Sequence, residues 1–183
     1  MWRVARSDDS LRMSEISAWD AAIPRAGNRF DTPDGGVLYC ATTAVGCYAE
    51  TLARFRPSAA VGLAAQEDDP EFVICGGVPA DWRHRRVRVS VALVEPLPFL
   101  DVEAPQTHEF LTTELADRLT PLGVTVLDVA QVRGPNRLIT RAIATWAFGV
   151  LNDDGFRYAG IRYMSRLGDH ECWAVFQGNE VKN

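Results

Sequence analysis

Residues 37–56, VLYCATTAVGCYAETLARFR, change from one hydrophobic pattern to another within a few positions. The first four, Val37-Leu38-Tyr39-Cys40, form a short apolar run that predicts a buried strand. From 43 to 56 the apolar residues recur at helical spacing instead, and Pro57 ends the pattern. A strand followed directly by a helix is therefore the first structural unit that the sequence predicts.

The rest of the chain shows more strand patterns than helix patterns. A polar loop at 24–36 and an Ala-rich, then acidic surface excursion at 57–70 separate some of them. Further strands are predicted at 2–5, 72–75, 86–94, 98–102, 124–129, 160–164 and 172–176, and further helices at 105–119 and 137–150. Because the strands do not alternate regularly with helices, an α+β fold is favoured over a doubly wound sheet. With no internal repeat or long linker, residues 1–183 are expected to form a single domain.

The overall composition is that of a globular protein, with 47% apolar and 23% charged residues. No run approaches the roughly 20 apolar residues that cross a bilayer, and no signal-peptide pattern opens the chain, so we expect a cytoplasmic protein without membrane contact. The net charge of −5 disfavours direct nucleic-acid binding, but a local arginine pocket can still bind a small anion. Lys182 is the only lysine. The excess of arginine suits phosphate recognition, and a GC-rich coding bias produces the same excess.

The cysteines and histidines do not indicate a metal site. Each cysteine lies in an apolar run, as is typical of a small buried side chain: Cys40, Cys47, Cys75 and Cys172. The three histidines are scattered, and the pair His170 and Cys172 falls short of the roughly four closely spaced ligands that zinc requires. We therefore predict no metal.

Glu50 lies within the predicted helix 43–56. On a helical wheel the apolar stripe is centred near Val45 and Leu52, and Glu50 projects to nearly the opposite side. A solvated helix face is one interpretation of that position. The other is a ligand site, because the helical neighbours Gly46 and Ala53 have almost no side chain and leave room beside the carboxylate.

Arg29 lies in the loop that leads into the first unit, and Tyr39 lies in the strand of that unit. Arg29 has Gly27 shortly before it and a Pro-Asp-Gly-Gly turn after it, which fits either a surface arginine or a phosphate clamp. Tyr39, inside an apolar strand, fits either core packing with a satisfied hydroxyl or stacking on a cationic ring.

Ser165 ends the strand-like run Gly160-Ile161-Arg162-Tyr163-Met164. A serine at a strand end commonly serves turn chemistry. No GxSxG elbow surrounds it and no histidine is placed as its base, which disfavours a Ser-His-Asp hydrolase. A guanidinium, a carboxylate and a hydroxyl could nevertheless act together, binding a phosphorylated nucleoside and cleaving its glycosidic bond.

Other recognised nucleotide motifs are missing from the sequence. It contains neither GxGxxG nor a Walker P-loop, so a Rossmann or kinase-like phosphate site is not supported. The basic run 82–88, WRHRRVR, resembles a nucleic-acid patch, but the alternation of arginine and valine in its second half favours the solvated face of a strand.

At these residues the sequence resembles the RES-domain family, which is named for its Arg, Glu and Ser. The matching segments are Trp2-Arg3-Val4, Asn28-Arg29-Phe30, Val37-Leu38-Tyr39, Ala49-Glu50, Gly160-Ile161-Arg162-Tyr163-Met164-Ser165-Arg166 and Cys172-Trp173-Ala174-Val175-Phe176. They span nearly the whole chain in the order of the family pattern. Two departures are Asn28, which replaces the second of two glycines before the arginine, and a longer middle third.

The resemblance implies an ADP-ribosyltransferase-like fold, with two packed small sheets and flanking helices around an NAD cleft. It also implies an NAD⁺-consuming toxin that a helix-turn-helix antitoxin holds inactive. Arg29 would then hold the phosphate or ribose, Tyr39 would flank the nicotinamide, and Arg3 would be a further ligand. Glu50 would be the catalytic carboxylate, with Ser165 orienting either it or the ribose. Water, phosphate or a macromolecule are all possible acceptors, and a non-catalytic nucleotide- or protein-binding module is the remaining alternative.

Overall fold

The computed structural model describes residues 1–71, 76–153 and 155–183. The strand predicted at 72–75, which includes Cys75, lies outside the described residues.

The strands are β1 Trp2–Arg6, β2 Val37–Ala41, β3 Arg86–Ser90, β4 Ala92–Leu93, β5 Phe99–Asp101, β6 Leu151–Asn152, β7 Gly155–Phe156, β8 Gly160–Met164, β9 Glu171–Phe176 and β10 Val181–Lys182. The helices are α1 Ala18–Ala21, α2 Ala44–Leu52, α3 Ala59–Asp68, α4 Ala80–His84, α5 Pro105–Glu114, α6 Ala116–Leu119, α7 Val129–Arg133 and α8 Arg137–Gly149, with 3₁₀ turns at Ala53–Phe55 and Thr120–Leu122.

Six strands form one mixed sheet in the order β3–β1–β2–β9–β8–β5. Its neighbours are antiparallel except for the parallel pair β8 and β5. The pairs β4–β10 and β6–β7 form two further small sheets. The predicted α+β class is confirmed, whereas the sheets differ from the two packed small sheets that the resemblance implies.

The large sheet is continuous only because one residue pair joins β1 to β2. These strands share a single residue pair, Trp2 with Ala41, whereas β1 pairs with β3 along its whole length. The six-stranded sheet is therefore almost divided into β3–β1 and β2–β9–β8–β5. A cleft lined by residues of both strands opens at this narrow junction.

The two faces of the sheet carry separate cores. In β9, alternate residues Cys172, Ala174 and Phe176 join the larger core with side chains of α5 to α8. Trp173 and Val175 pack in a smaller core on the opposite face. Because the central strands are covered on both sides, they read as nearly continuous apolar runs in the sequence.

Most predicted elements match the structure. The strands predicted at 2–5, 37–40, 160–164 and 172–176 and the helix at 137–150 are confirmed to within one residue at each end. The region 86–94 contains two strands, and the helix predicted at 105–119 is interrupted at Leu115. The longest described helix, α8, has 13 residues, and none of the described helices has the length and hydropathy of a membrane span.

The excursion predicted at 57–70 does lie at the surface, and it contains the helix α3, in which Gly62 is the one buried residue. The strand predicted at 124–129 is wrong. The residues at 124–129 form no strand but lead into α7, which Asp128 caps in a reciprocal capping box with Gln131. The buried residues there, Val124 and Leu127, are three positions apart, a spacing that does not suit a strand face.

Candidate active site

A cleft of about 730 Å³ is bordered by β1, β2 and α2 and by the loop before β2. Four of the five predicted site residues line it: Arg3, Arg29, Tyr39 and Glu50. Ser165 does not line the cleft, because it is buried beneath it with only 1% of its surface exposed. It nevertheless contacts Glu50, so the fold brings all five residues to one place.

Glu50 and Ser165 form a direct hydrogen bond. The Ser165 hydroxyl donates to Oε1 of Glu50 and accepts from the backbone N–H of Leu167 at 2.9 Å. The Ser165 N–H donates to the carbonyl of His170 at 2.8 Å. The turn after β8 therefore fixes the hydroxyl, and the hydroxyl in turn fixes one carboxylate oxygen. Oε2 of Glu50 has no hydrogen-bond partner among the described residues.

The helix α2 presents a different face to the protein from the one that its apolar stripe predicts. Val45, at the predicted centre of the stripe, is 67% exposed, whereas Gly46 and Cys47 are buried. The prediction that Gly46 leaves room for a ligand is wrong, because a Cβ there would lie 2.7 Å from Cβ of His170. Ala53, the other small neighbour of Glu50, does line the cleft.

Arg29 is held from three sides. Its guanidinium donates to the carbonyl of Val132 at 2.6 Å and to that of Met164 at 3.4 Å. The rings of Phe30 and Tyr163 lie 5.3 and 5.1 Å from its central carbon, within cation–π range. Burial lowers the pKa of Arg29, although a guanidinium stays charged in a protein. Its Nε is buried without a hydrogen-bond partner among the described residues.

Asp31 shapes the loop that carries Arg29. Its side chain is fully buried and accepts hydrogen bonds from the Tyr39 hydroxyl at 2.9 Å, the Asn28 N–H at 2.6 Å and the Ser14 hydroxyl at 3.0 Å. Gly27 has a φ of +63°, and a Cβ at that position would lie 2.8 Å from the Asp31 carboxylate. Only glycine fits there without strain.

Asn28 accounts for one departure from the family pattern. Its backbone N–H binds Asp31, and its side-chain amide donates to the Ser14 hydroxyl at 2.7 Å. The residue that replaces a glycine therefore adds a bond that ties the loop to the N-terminal segment.

Side chains of α8 hold the same loop from the other side. Arg141 is buried and donates to the carbonyls of Ala21 at 2.5 Å and Ala26 at 2.8 Å. Arg137, one turn earlier, donates to the carbonyl of Gly27, and the Thr140 hydroxyl donates to that of Arg29. Sequence reasoning missed these residues, although two arginines four positions apart on an apolar helix were a visible signal.

Tyr39 and Arg3 connect the cleft to the junction of β1 and β2. The Tyr39 hydroxyl is satisfied by Asp31 and by the N–H of Phe30 at 3.1 Å, while the tyrosine also lines the cleft. Burial, followed by Asp31, raises the pKa of Tyr39 well above its ordinary value. Arg3 donates to the carbonyl of Tyr39 at 3.3 Å, so it joins the two strands where their backbone pairing has ended. Burial lowers the pKa of Arg3.

Glu103 ties together the groups that hold Arg29 and Ser165. Its Oε1 accepts from the Met164 N–H at 2.9 Å, and its Oε2 accepts from Nε and Nη2 of Arg133 at 3.0 and 2.7 Å. Met164 lies directly before Ser165 and gives its carbonyl to Arg29. Arg133 directly follows Val132, the other carbonyl partner of Arg29. The pair of Glu103 and Arg133 therefore fixes both acceptors of the Arg29 guanidinium.

The cleft is strongly positive in a chain whose net charge is −5. It is lined by two carboxylates, Asp9 and Glu50, and by eight arginines: Arg3, Arg6, Arg12, Arg29, Arg54, Arg86, Arg137 and Arg166. A local arginine pocket that opposes the net charge was expected from the sequence, but six of its members were not identified. They come from separate elements, so no local motif groups them.

The cysteines near the cleft do not add a reactive group to the site. Burial raises the pKa of the Cys40 and Cys47 thiols to about 11 and that of Cys172 to about 12. These three thiols are consequently poor nucleophiles near neutral pH. The described residues contain no group of three or more His, Cys, Asp or Glu side chains that could hold a metal ion.

Comparison with models of known protein families matches residues 1–182 to the RES domain. Comparisons with curated proteins and with solved structures give no match. The family match covers essentially the entire chain and includes every residue that builds the cleft. The chain therefore belongs to the RES-domain family.

Proposed function

We propose that this protein consumes NAD⁺ by cleaving the bond between nicotinamide and ribose. The observation that carries the proposal is that Glu50 and Arg29 line the same arginine-rich cleft, with Ser165 bonded to the carboxylate. The resemblance to the RES family suggests NAD⁺ as the substrate. The cleft adds a physical reason, since a dinucleotide presents a diphosphate to the arginines and a ribose to the carboxylate.

The chemistry requires stabilisation of a positive charge. The bond between the nicotinamide nitrogen and C1′ breaks, its electron pair leaves with nicotinamide, and the cationic ring becomes neutral. The charge moves to the ribose as an oxocarbenium ion, which a nearby carboxylate stabilises as in glycosidases. Water or phosphate then adds at C1′, and water gives up its proton in doing so.

The geometry supports a distinct role for each of the site residues. Ser165 orients the Glu50 carboxylate through Oε1, which leaves Oε2 for the ribose. Arg29, held by two carbonyls and two rings, binds the diphosphate so that C1′ stays near the carboxylate. Tyr39 flanks the nicotinamide, and Arg3 supplies a further contact.

Glu50→Gln tests the proposal directly. The amide is nearly isosteric and can still accept from Ser165, but it has no negative charge to stabilise the oxocarbenium ion. We expect release of nicotinamide from NAD⁺ to fall at least about a hundredfold, the scale of losing one transition-state stabilising group. The measurement is chromatographic quantification of free nicotinamide.

The matched control is Glu109→Gln, an exposed glutamate of α5 outside the cleft, which should release nicotinamide like the unaltered protein. Unfolding midpoints of the three proteins show whether the fold is retained. Turnover of folded Glu50→Gln at the unaltered rate would remove Glu50 from the mechanism.

The products separate the alternatives. Free ADP-ribose indicates hydrolysis, and ADP-ribose 1″-phosphate indicates phosphorolysis. An adduct with the mass of ADP-ribose on a macromolecule indicates ADP-ribosyl transfer. Binding of NAD⁺ without release of nicotinamide would favour a non-catalytic binding module.

A toxin role and a helix-turn-helix antitoxin belong to the same proposal. Both come from the family resemblance. Induced expression in a bacterial host should slow growth and lower cellular NAD⁺, whereas Glu50→Gln should do neither. Rescue of growth by a helix-turn-helix protein from the adjacent reading frame would identify the partner.

A further inference from the structure

Three arginines meet at the border of the cleft formed by β1, β3 and the 3₁₀ turn after α2. Arg6 and Arg86 are directly opposite each other in the β1–β3 ladder, and Arg54 belongs to the turn Ala53–Phe55. All three line the cleft, and we call them the outer arginine cluster. None of them is needed to hold Arg29, Glu50 or Ser165.

The outer arginine cluster forms no salt bridge with the described residues. Like charges directly opposite each other in an antiparallel pair are destabilising. Among the described residues no carboxylate forms an ion pair with Arg6, Arg54 or Arg86. Arg86 donates a side-chain hydrogen bond to the carbonyl of Arg85 at 3.2 Å. Burial lowers the pKa of Arg86 first, Arg6 and Arg54 lower it further, and Asp8 partly offsets them.

An aromatic contact orients Arg86 within the cluster. The guanidinium carbon of Arg86 lies 5.2 Å from the centre of the Trp82 ring, which also lines the cleft. Trp82 in turn meets Phe55 edge-on, with ring centres 5.2 Å apart and planes at 77°. Phe55 directly follows Arg54, so one aromatic contact ties α4 to the turn and places the two arginines together.

We propose that the outer arginine cluster is a binding subsite for a phosphoryl group. Three guanidinium groups from three separate elements suit the three terminal oxygens of a tetrahedral phosphate better than the two oxygens of a planar carboxylate. A dianion there relieves the repulsion between Arg6 and Arg86. Binding of the anion therefore compensates a cost that the fold bears without it.

This subsite is distinct from the diphosphate contact assigned to Arg29, and the distinction rests on the proposed function. Arg54 follows Glu50 by four residues, about 6 Å further along the helix axis. Arg6 follows Arg3 by three residues, about 10 Å further along the strand. Arg29 instead contacts the end of β8 and α7. The phosphoryl group has two possible sources: free inorganic phosphate or an additional phosphate on the dinucleotide, as in NADP⁺.

The first experiment uses inorganic phosphate alone and needs no turnover. Isothermal titration calorimetry of the unaltered protein should show one saturable phosphate site. Arg86→Gln should weaken its affinity at least tenfold, and Arg54→Gln should act in the same direction. Arg88→Gln is the matched control, because Arg88 lies on the same strand, stacks on Trp2 and does not line the cleft. Its phosphate affinity should equal that of the unaltered protein.

The second experiment distinguishes the sources in the Glu50→Gln background, where we expect the dinucleotide to be consumed at least about a hundredfold more slowly. If the subsite takes a dinucleotide phosphate, NADP⁺ binds at least tenfold more tightly than NAD⁺, and Arg86→Gln removes the difference. If it takes free phosphate, NADP⁺ has no advantage and phosphate binds together with NAD⁺.

Absence of saturable phosphate binding, or phosphate affinity that survives Arg86→Gln and Arg54→Gln in folded proteins, overturns the subsite. Phosphate binding that depends on these arginines in a protein that leaves NAD⁺ intact would support the subsite and contradict the proposed function. The two inferences therefore fail separately.

Discussion

The two sides of the cleft are built in opposite ways. On the side of Arg29, the protein itself holds the charged groups: Arg29 donates to two carbonyls, and Glu103 pairs with Arg133. On the side of the outer arginine cluster, positive charges face one another across a strand pair without an ion pair from the described residues. The first side, which we call the fixed side, is held by groups of the protein itself, and we propose that the second gains its neutralising charge from a bound anion.

This difference indicates a division of labour. The proposed glycosidic cleavage needs the Glu50 carboxylate and Arg29, the proposed diphosphate ligand, in a set geometry, because small misplacements of reacting groups are costly. A subsite that binds an anion needs charge more than precision, and guanidinium groups at a cleft border supply it. Conditions or variants that affect one side of the cleft and leave the other unchanged therefore test this contrast.

Alkaline pH should give the largest effect on stability, through three thiols that line the cleft and lie outside the outer arginine cluster. Cys40, Cys47 and Cys172 keep their protons in the fold to a pKa of about 11, 11 and 12, but ionise near 9 when unfolded. A raised folded pKa stabilises the protein below pH 9, and that contribution is lost as the pH rises through the folded values. Each thiol then removes about 1.4 kcal/mol per pH unit from the free energy of unfolding.

Urea denaturation at pH 8, 9 and 10 measures this loss. In Cys172→Ala the free energy of unfolding should fall less steeply with pH, because one ionising group is gone. The difference in slope should approach about 1.4 kcal/mol per pH unit. A free energy of unfolding that stays constant between pH 8 and pH 10 would show that the three thiols do not remain protonated in the fold.

The sequence was informative where one local pattern determined the structure. Short apolar runs and the turn residues that bound them predicted the unit of β2 and α2 and the pair of β8 and β9. Tyr39 and Glu50 lie in the first unit, and Ser165 directly follows β8. Arg29 was found because its loop precedes β2. The pattern could not show that Ser165 donates to Glu50, since the two residues are 115 positions apart.

The errors come from tertiary contacts that override local pattern. In helix α2, His170 packs against Gly46, and Cys47 and Glu50 face the cleft. Val45 is consequently turned to solvent. At 124–129 the β-branched composition predicted a strand, although Asp128 and Gln131 already had the spacing of a capping box. The arginines of the cleft border belong to different elements, so only the fold reveals that they meet.

The fixed side itself is tested by Glu103→Gln. The amide can still accept from Met164, but its NH₂ group faces the donors of Arg133 and removes a charge-assisted pair. Both carbonyls that hold Arg29 then lose their common support. We expect kcat for nicotinamide release to fall about tenfold, which corresponds to about 1.4 kcal/mol.

Glu171→Gln is the matched control. It also breaks an arginine–carboxylate pair, with Arg162 at 2.8 Å, but neither residue lines the cleft. It should lower the unfolding midpoint without lowering kcat. Equal losses of kcat in the two variants would mean that Glu103 acts on stability and does not position Arg29.

The smallest predicted effect concerns the other side and has the opposite sign. Arg6→Gln removes one of the two like charges that oppose each other across β1 and β3, and Arg6 is exposed, so no buried group loses a partner. We expect the free energy of unfolding to rise by about 0.2–1 kcal/mol, the range for a cross-strand charge pair, at low ionic strength. Salt should shrink the gain through screening.

Saturating phosphate should abolish that gain, because the unaltered protein would then have its repulsion relieved by the bound anion. Arg88→Gln provides the contrast, since Arg88 lies opposite Val4 and stacks on Trp2 at 4.9 Å, and its removal should leave stability unchanged or lower. If Arg6→Gln instead destabilises the protein in the absence of any anion, the outer arginine cluster contributes to the fold itself. The contrast between a fixed side and a ligand-completed side would then be lost.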